Sequence, residues 1–302
     1  MRDGELAEPS AGVAAITGTS GRVGAAVAQA LEAAGWQVRG VDRSPGRWTG
    51  IVGDLRSGPV RRALVHGADV VVHAAALHAP HVGVVDDAEF RAVNVDATAA
   101  LLDDAETAGV PRVVYISSTS VYGNALVPTD RAVWVHEGLL PDPRDIYDET
   151  KLAAEQLVAS APVTSVALRI ARCFPEPPPV LATRLLHRAV RLVDVAAATA
   201  SAAAHLDLAG VFNIAGRYPF TRADCIALHH DAAAVIAERA PDVAAAFHAR
   251  GWPLPQRIDR VYDSSAATKA FGYQPAYSDE PEIGHGSLNS VGNRRPSHGR
   301  RP

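Results

Sequence analysis

The chain has 302 residues, 48% of them hydrophobic, and a formal net charge of −4. That length suits one large domain, or a domain with a small second lobe. The mild acidity gives no basic surface for nucleic acid, and no apolar run reaches the roughly 18 residues of a membrane span. Two cysteines, Cys173 and Cys225, form neither a disulfide framework nor a metal-ligand spacing. The N-terminus, MRDGELAEPSAG, has no apolar signal core. These features predict a cytoplasmic protein that binds no metal, membrane or nucleic acid.

From residue 12 to about 172, short apolar runs alternate with stretches of helical period. The runs are Val13–Thr17, Gln37–Val41, Asp69–His73, Arg112–Ser117 and Thr164–Ile170. The helical stretches are Gly24–Ala34, Ala88–Ala108 and Asp145–Ala159. Such alternation predicts an α/β fold: a doubly wound parallel sheet of the Rossmann type, covered on both faces. After Arg172 the rhythm breaks at Phe174–Val180, FPEPPPV, which reads as a loop. Helical patterns then cover Leu181–Ala204, Arg222–Ala240 and Asp242–Ala249, around one strand-like run, Val211–Ile214. The expected division is a dinucleotide-binding domain over 12–172 and a small, mostly helical substrate lobe over 173–277. Strand 211–214 is expected to return to the main sheet. Residues 278–302 lack apolar content and are expected to be disordered, and residues 1–11 loose.

The first run leads into Thr17-Gly18-Thr19-Ser20-Gly21-Arg22-Val23-Gly24. Glycines at that spacing let a turn bend tightly and let backbone approach a pyrophosphate at a helix N-terminus. The contacts expected there come from Gly18, Ser20, Gly21, Arg22 and Val23. Asp42 ends the second run 18 residues past Gly24, where a carboxylate binds both ribose hydroxyls of NAD. Arg43 beside it leaves NADP open, because an arginine can pair with a 2′-phosphate.

Six blocks in order resemble the extended short-chain dehydrogenase/reductases, the NAD-dependent epimerase/dehydratase family. They are TGTSGRVG at 17–24, GDL at 53–55, HAAA at 73–76, VNVDAT at 93–98, SSTSVYG at 117–123 and YDETK at 147–151. The resemblance implies that Asp54 and Leu55 meet the adenine, and that Ala74, Ala75 and Ala76 pass beside the ribose and phosphates. It implies that Asn94 braces the central helix and that Ser117 flanks the cofactor. Tyr147 and Lys151 are four apart on a helical stretch, so they share a face. In the family such a pair is catalytic: the tyrosine moves the proton, and the lysine holds the nicotinamide ribose and steadies the phenolate. Ser118 aligns with the catalytic Ser/Thr, and Ser117 takes that role if the register slips by one. The family also implies a twofold homodimer built on helices 88–108 and 145–159.

Departures from the family narrow the chemistry. Its dehydratases carry Asp-Glu after the serine or threonine; here Thr119 and Ser120 stand there, which disfavours elimination. The usual R-x-x-N is Arg169-Ile170-Ala171-Arg172, so an arginine replaces an asparagine that contacts the substrate's pyrophosphate or nucleotide. Only 22 residues separate Arg172 from Asp194, against a longer nucleotide clamp in sugar-nucleotide enzymes. Substrate candidates are His78, His81, Thr119 and Arg172, and Arg257 and Arg260 lie near where relatives place a diphosphate-binding arginine. The expected activity is hydride transfer at a carbinol or ketone carbon of a sugar-like or other small polar molecule, by a dehydrogenase or an epimerase. The alternatives are a ketoreductase for a small acidic substrate and a non-catalytic NAD(P)-binding regulator.

Overall fold

The computed structural model describes residues 12–275. The tail expected over 278–302 and the loose start over 1–11 lie outside them.

The first strand, β1 (Val13–Thr17), is buried along almost its whole length, and helix α1 (Arg22–Ala33) follows the glycine turn. Helix α1 buries Gly24, Val27, Ala28 and Leu31, the i, i+3, i+4, i+7 stripe of an amphipathic helix. It stops before Gly35, whose φ of +86° suits a residue without Cβ. Strand β2 (Gln37–Asp42) is followed by β3 (Thr49–Val52), α2 (Gly58–Val65) and β4 (Val70–His73). Strand β3 and helix α2 escaped the sequence reading, because TGIV alternates exposure and is too short to register as a run.

The helix expected over 88–108 is interrupted. Helix α3 (Asp87–Arg91) passes through a π-helical turn, Ala92–Asp96, before α4 (Ala97–Thr107). Asn94 lies in that turn, and its side chain bonds to the Leu77 backbone. Then come β5 (Arg112–Ser118), β6 (Val133–Val135), α5 (Ile146–Ser160) and β7 (Thr164–Ile170). Beyond them, α6 (Pro178–Leu185) begins inside the proline run that reads as a loop, since proline is tolerated in a helix's first turn. The chain then breaks before α7 (Leu192–Ala204): the Val190 amide donates to the Arg172 carbonyl and the Gly216 amide to the Ala189 carbonyl. Strand β8 (Gly210–Ile214) precedes α8 (Cys225–His230), α9 (Ala232–Arg239) and α10 (Pro241–Ala249). Asp231, which caps α9, divides the expected 222–240 helix. Strand β9 (Arg260–Tyr262) and α11 (Ser265–Phe271) complete the described chain.

Seven strands form one parallel sheet in the order β3-β2-β1-β4-β5-β7-β8, so the 211–214 run does return to it. Helices α1, α7 and α11 pack on one face, and α2, α4 and α5 on the other. This is the doubly wound Rossmann-like architecture. Strands β6 and β9 make a separate two-stranded parallel sheet, and a further apolar cluster gathers α8, α9 and α10 around Leu228, Ile236 and Phe247. Arg112 is fully buried and caps the end of α7, donating to the carbonyls of Ala202, Leu206 and Leu208. The chain reverses direction across the sheet between β1 and β4. Doubly wound sheets bind ligands at the carboxyl ends of their strands there.

Candidate active site

The glycine turn fits closely against β4. Gly18 has φ +75°, and a Cβ on it would lie 2.9 Å from the Ala75 nitrogen; one on Gly24 would lie 2.1 Å from the Gly18 carbonyl oxygen. The first turn of α1 carries no acidic residue and no side-chain cap, so its amides suit an anion. At the end of β2, Asp42 accepts from the amides of Ser20 and Ser44, each at 3.0 Å, which fixes its carboxylate beside the turn. Asp54 is held by the Arg56 guanidinium and amide. The side-chain bond to Arg56 keeps its carboxyl below the ordinary range, and the charge of Arg43 adds to this, so Arg43 lies toward Asp54.

A buried hydrogen-bonded frame ties this turn to α5. Thr17 Oγ1 accepts from the amides of Ala74 (3.0 Å) and Ala75 (2.9 Å), so its own proton goes to His73 Nδ1 at 2.8 Å. His73 Nε2 then donates to Thr98 Oγ1 at 2.8 Å, and Thr98 donates to the Asn94 carbonyl. Burial brings His73 down to about 3, in keeping with the neutral ring these bonds require. Asn94 Nδ2 donates to the Leu77 carbonyl and to Thr150, whose hydroxyl donates to the Tyr147 carbonyl. Asn94 therefore acts as a brace between β4 and α5.

On α5, Tyr147, Lys151 and Glu155 follow one another by single turns on one face. The Ser118 hydroxyl, at the end of β5, accepts from the Ser120 amide at 3.1 Å and lies near enough to the Tyr147 phenol to act on its acidity. Ser117 is committed elsewhere: its hydroxyl donates to Glu155, which also receives the Arg169 guanidinium at 2.7 Å. Only the Ser117 backbone is thus left for a cofactor. Lys151, expected to hold the nicotinamide ribose and steady the phenolate, is buried. Its Nζ donates to the Ile116 carbonyl at 2.6 Å and lies 4.1 Å from the centre of the Tyr115 ring. Burial lowers Lys151 to about 7, against the opposing charge of Glu155. Burial also pushes Tyr147 up to about 12, partly offset by Ser118.

The sequence profile of the NAD dependent epimerase/dehydratase family matches residues 14–175, more than half of the chain. The chain belongs to that family. A 3-beta-hydroxysteroid dehydrogenase of Mycolicibacterium neoaurum is 34% identical over 155 residues, covering 47% of this chain and 41% of the relative. A UDP-glucose 4-epimerase of Streptomyces lividans is 31% identical over 154 residues, covering 47% of this chain and 45% of the epimerase. The chain thus matches less than half the length of these relatives. A short-chain dehydrogenase/reductase superfamily protein of Agrobacterium tumefaciens, solved with bound NAD, shares the fold. Its TM-score is 0.64 at 24% identity, covering 88% of this chain and 93% of that one. MoeE5, solved with UDP-glucose and NAD, matches with TM-score 0.63 at 25% identity over 88% of this chain and 94% of its own.

Part of the expected substrate set gathers around Phe174. His78 stacks on Phe174 with ring centres 6.0 Å apart, and the Arg172 guanidinium lies 5.3 Å over the same ring. His81 sits behind His78, edge to face at 4.7 Å. Thr119 is only 4% exposed and turns inward, unlike the other candidates. Arg257 bonds to His229 and Arg260 to Asp259, so both are committed locally. Sequence reasoning missed Phe174, which joins the two candidate loops, and Cys173. Burial pushes that thiol up, and the charges of Arg22 and Arg172 pull it back down in part.

Proposed function

We propose that this chain is an NAD-dependent oxidoreductase or epimerase that interconverts a secondary alcohol and a ketone on a small polar substrate. One observation carries the reading: a serine at a strand end faces a helix-borne tyrosine, with a lysine one turn on, beside a close-packed glycine turn. The residues present fit the cofactor. Gly18 and Gly24 let the turn pack closely against backbone, the first turn of α1 would hold the pyrophosphate, and Asp42 would hold the ribose hydroxyls. When bound, NAD supplies the acceptor or donor of hydride.

The chain's own residues do the rest. Ser118 donates a hydrogen bond to the substrate oxygen and orients it. Tyr147 passes a proton to that oxygen or takes one from it. Lys151 would hold the nicotinamide ribose. Thr119 and Ser120, where the dehydratases carry carboxylates, leave no acid or base for eliminating water at those positions. In this account the chain works as a cytoplasmic homodimer, with a dinucleotide-binding domain over 12–172 and a substrate lobe over 173–277.

A second reading, a ketoreductase for a small acidic substrate, is favoured by the arginines beyond β7. Arg188 Nε and Arg191 Nη2 are buried without a hydrogen-bond partner among the described residues, in the segment that runs beside Arg172. Burial lowers Arg184 most and the charges of Arg172 and Arg188 add to this, while Glu176, which pairs with both Arg172 and Arg184, opposes them. A carboxylate or phosphate would satisfy such donors. Titration with UDP-glucose separates this reading from sugar-nucleotide chemistry, since a smaller anionic substrate predicts no UDP-glucose binding. The core assignment is tested by Lys151→Met, Ser118→Ala and Tyr147→Phe together. Lys151→Met is expected to weaken NAD binding most, Tyr147→Phe to cost most turnover, and Ser118→Ala to cost less than Tyr147→Phe. A different ranking refutes the roles assigned here.

A further inference from the structure

Tyr147 is the second residue of α5, whose N-cap is Asp145 and whose first turn carries Asp148 and Glu149; the half-exposed Glu149 pairs with Arg91. Asp145 caps the helix by accepting from the Asp148 amide at 3.0 Å. Asp148 has weaker company. Its side chain is 1% exposed, yet it accepts only long bonds from the amide and guanidinium of Arg144, at 3.3 and 3.4 Å. The Arg144 side chain is half-exposed, so water screens its charge. Ser120, two residues past Ser118, turns its buried hydroxyl toward Asp148 without reaching full hydrogen-bond geometry.

The surroundings of Tyr147 are otherwise poor in charge. Leu77, Phe90 and Ile146 pack against the ring. Ser118 and Tyr115 approach from β5, and Cys173 from the segment after β7. The cation on the same helix face, Lys151, is aimed at the Ile116 carbonyl and the Tyr115 ring. A phenolate forming here would be a second negative charge beside a buried carboxylate, and like charges in a desolvated site oppose each other strongly.

We propose that Asp148 is a tuning residue: its buried carboxylate keeps Tyr147 in the hydroxyl form, so the site favours giving a proton to a carbonyl oxygen over taking one from an alcohol. The proposal rests on the reading of Tyr147 as the acid/base. In the favoured direction, hydride from reduced nicotinamide adds to the carbonyl carbon and the π pair moves to oxygen. The Tyr147 O–H bond breaks to protonate that oxygen, leaving an alcohol and oxidised nicotinamide, and solvent returns the proton to Tyr147. The direction of the electrostatics agrees. Burial acts most on Tyr147, Ser118 opposes it, and Asp148 is the largest of the neighbouring charges that raise it, ahead of Cys173 and Asp145. Asp148 is itself raised, chiefly by burial, as a poorly paired buried carboxyl should be.

The test is NMR of the full chain with ring-labelled tyrosine, with and without NAD, using Tyr147→Phe to assign the resonance. At a fixed alkaline pH where the chain stays folded, Asp148→Asn should raise the phenolate fraction of Tyr147 roughly tenfold, a shift of about one pH unit. Asp148→Glu, which restores the charge, should stay near wild type. An unchanged phenolate fraction in Asp148→Asn overturns the proposal, and so does an equal rise in Asp148→Glu. Should Asp148→Asn fail to fold, wild type alone decides: the Tyr147 resonance must shift as Asp148 protonates in acid, and a flat line there is a refutation. None of these readouts needs turnover, so failure here is distinct from failure of the Tyr147 assignment.

Discussion

Replacing Gly24 with alanine should damage cofactor binding more than it damages the fold. The added Cβ would lie 2.1 Å from the Gly18 carbonyl oxygen, 2.7 Å from its carbon and 3.2 Å from Thr19 Cα. All three are backbone atoms, so no side chain can rotate away. To reach ordinary van der Waals separation, α1 and the glycine turn must part by about 1 Å. Overpacking of this kind costs about 1–3 kcal/mol, and the displacement falls on the amides that meet the pyrophosphate. Tenfold in affinity corresponds to about 1.4 kcal/mol, so NAD should bind roughly tenfold to a hundredfold more weakly. Calorimetric titration of NAD with a parallel thermal melt measures both effects. Gly50→Ala is the control, because its Cβ meets nothing nearer than 3.9 Å and its φ is not positive. Wild-type NAD affinity in Gly24→Ala would refute the placement of the cofactor at this turn.

Other consequences can be checked separately. With Asp42 fixed at the end of β2, NAD should bind more tightly than NADP, and Asp42→Ala should narrow the gap; equal affinities in the wild type would show that Arg43 dominates. His73 titrates near 3 in the fold but near 6.5 when unfolded, so the unfolded chain binds more protons between those values and stability falls as pH falls. At pH 5 that residue alone costs about 2 kcal/mol. His73→Gln should flatten the acid limb of a denaturation series, and an unchanged slope contradicts the buried neutral ring. Light scattering at micromolar concentration should give a dimer mass; a monomer would sink the expected helix-mediated pairing.

Much of the sheet was legible because its central strands are fully buried apolar runs. Val70–His73 and Arg112–Ser117 carry that signal whatever surrounds them. Strand β3 did not, because only alternate residues of TGIV are covered. The breaks in the expected helices follow from tertiary bonds that no local pattern encodes, such as the bonding of Asn94 to Leu77 and of Val190 to Arg172. The spacing of Tyr147 and Lys151 could be read directly, since four residues make about one helical turn, while Ser118 came from its match to the family's motif. The orientation of Lys151 could not, because it depends on the Ile116 carbonyl and the Tyr115 ring, which arrive from another strand. The low exposure of Asp148 was equally hidden, since an acidic first turn usually faces water.

The central claim is that Tyr147 moves the proton. It is tested most directly by following NADH consumption by wild type and Tyr147→Phe on a panel of small ketones, comparing rates on any compound the wild type reduces. The ring packing against Leu77 and Phe90 is kept in the variant, so folding and NAD affinity should persist. Turnover should fall by about 10²–10⁴-fold, the loss typical of a missing general acid. A Tyr147→Phe protein that binds NAD and reduces the same ketone at the wild-type rate would contradict the account.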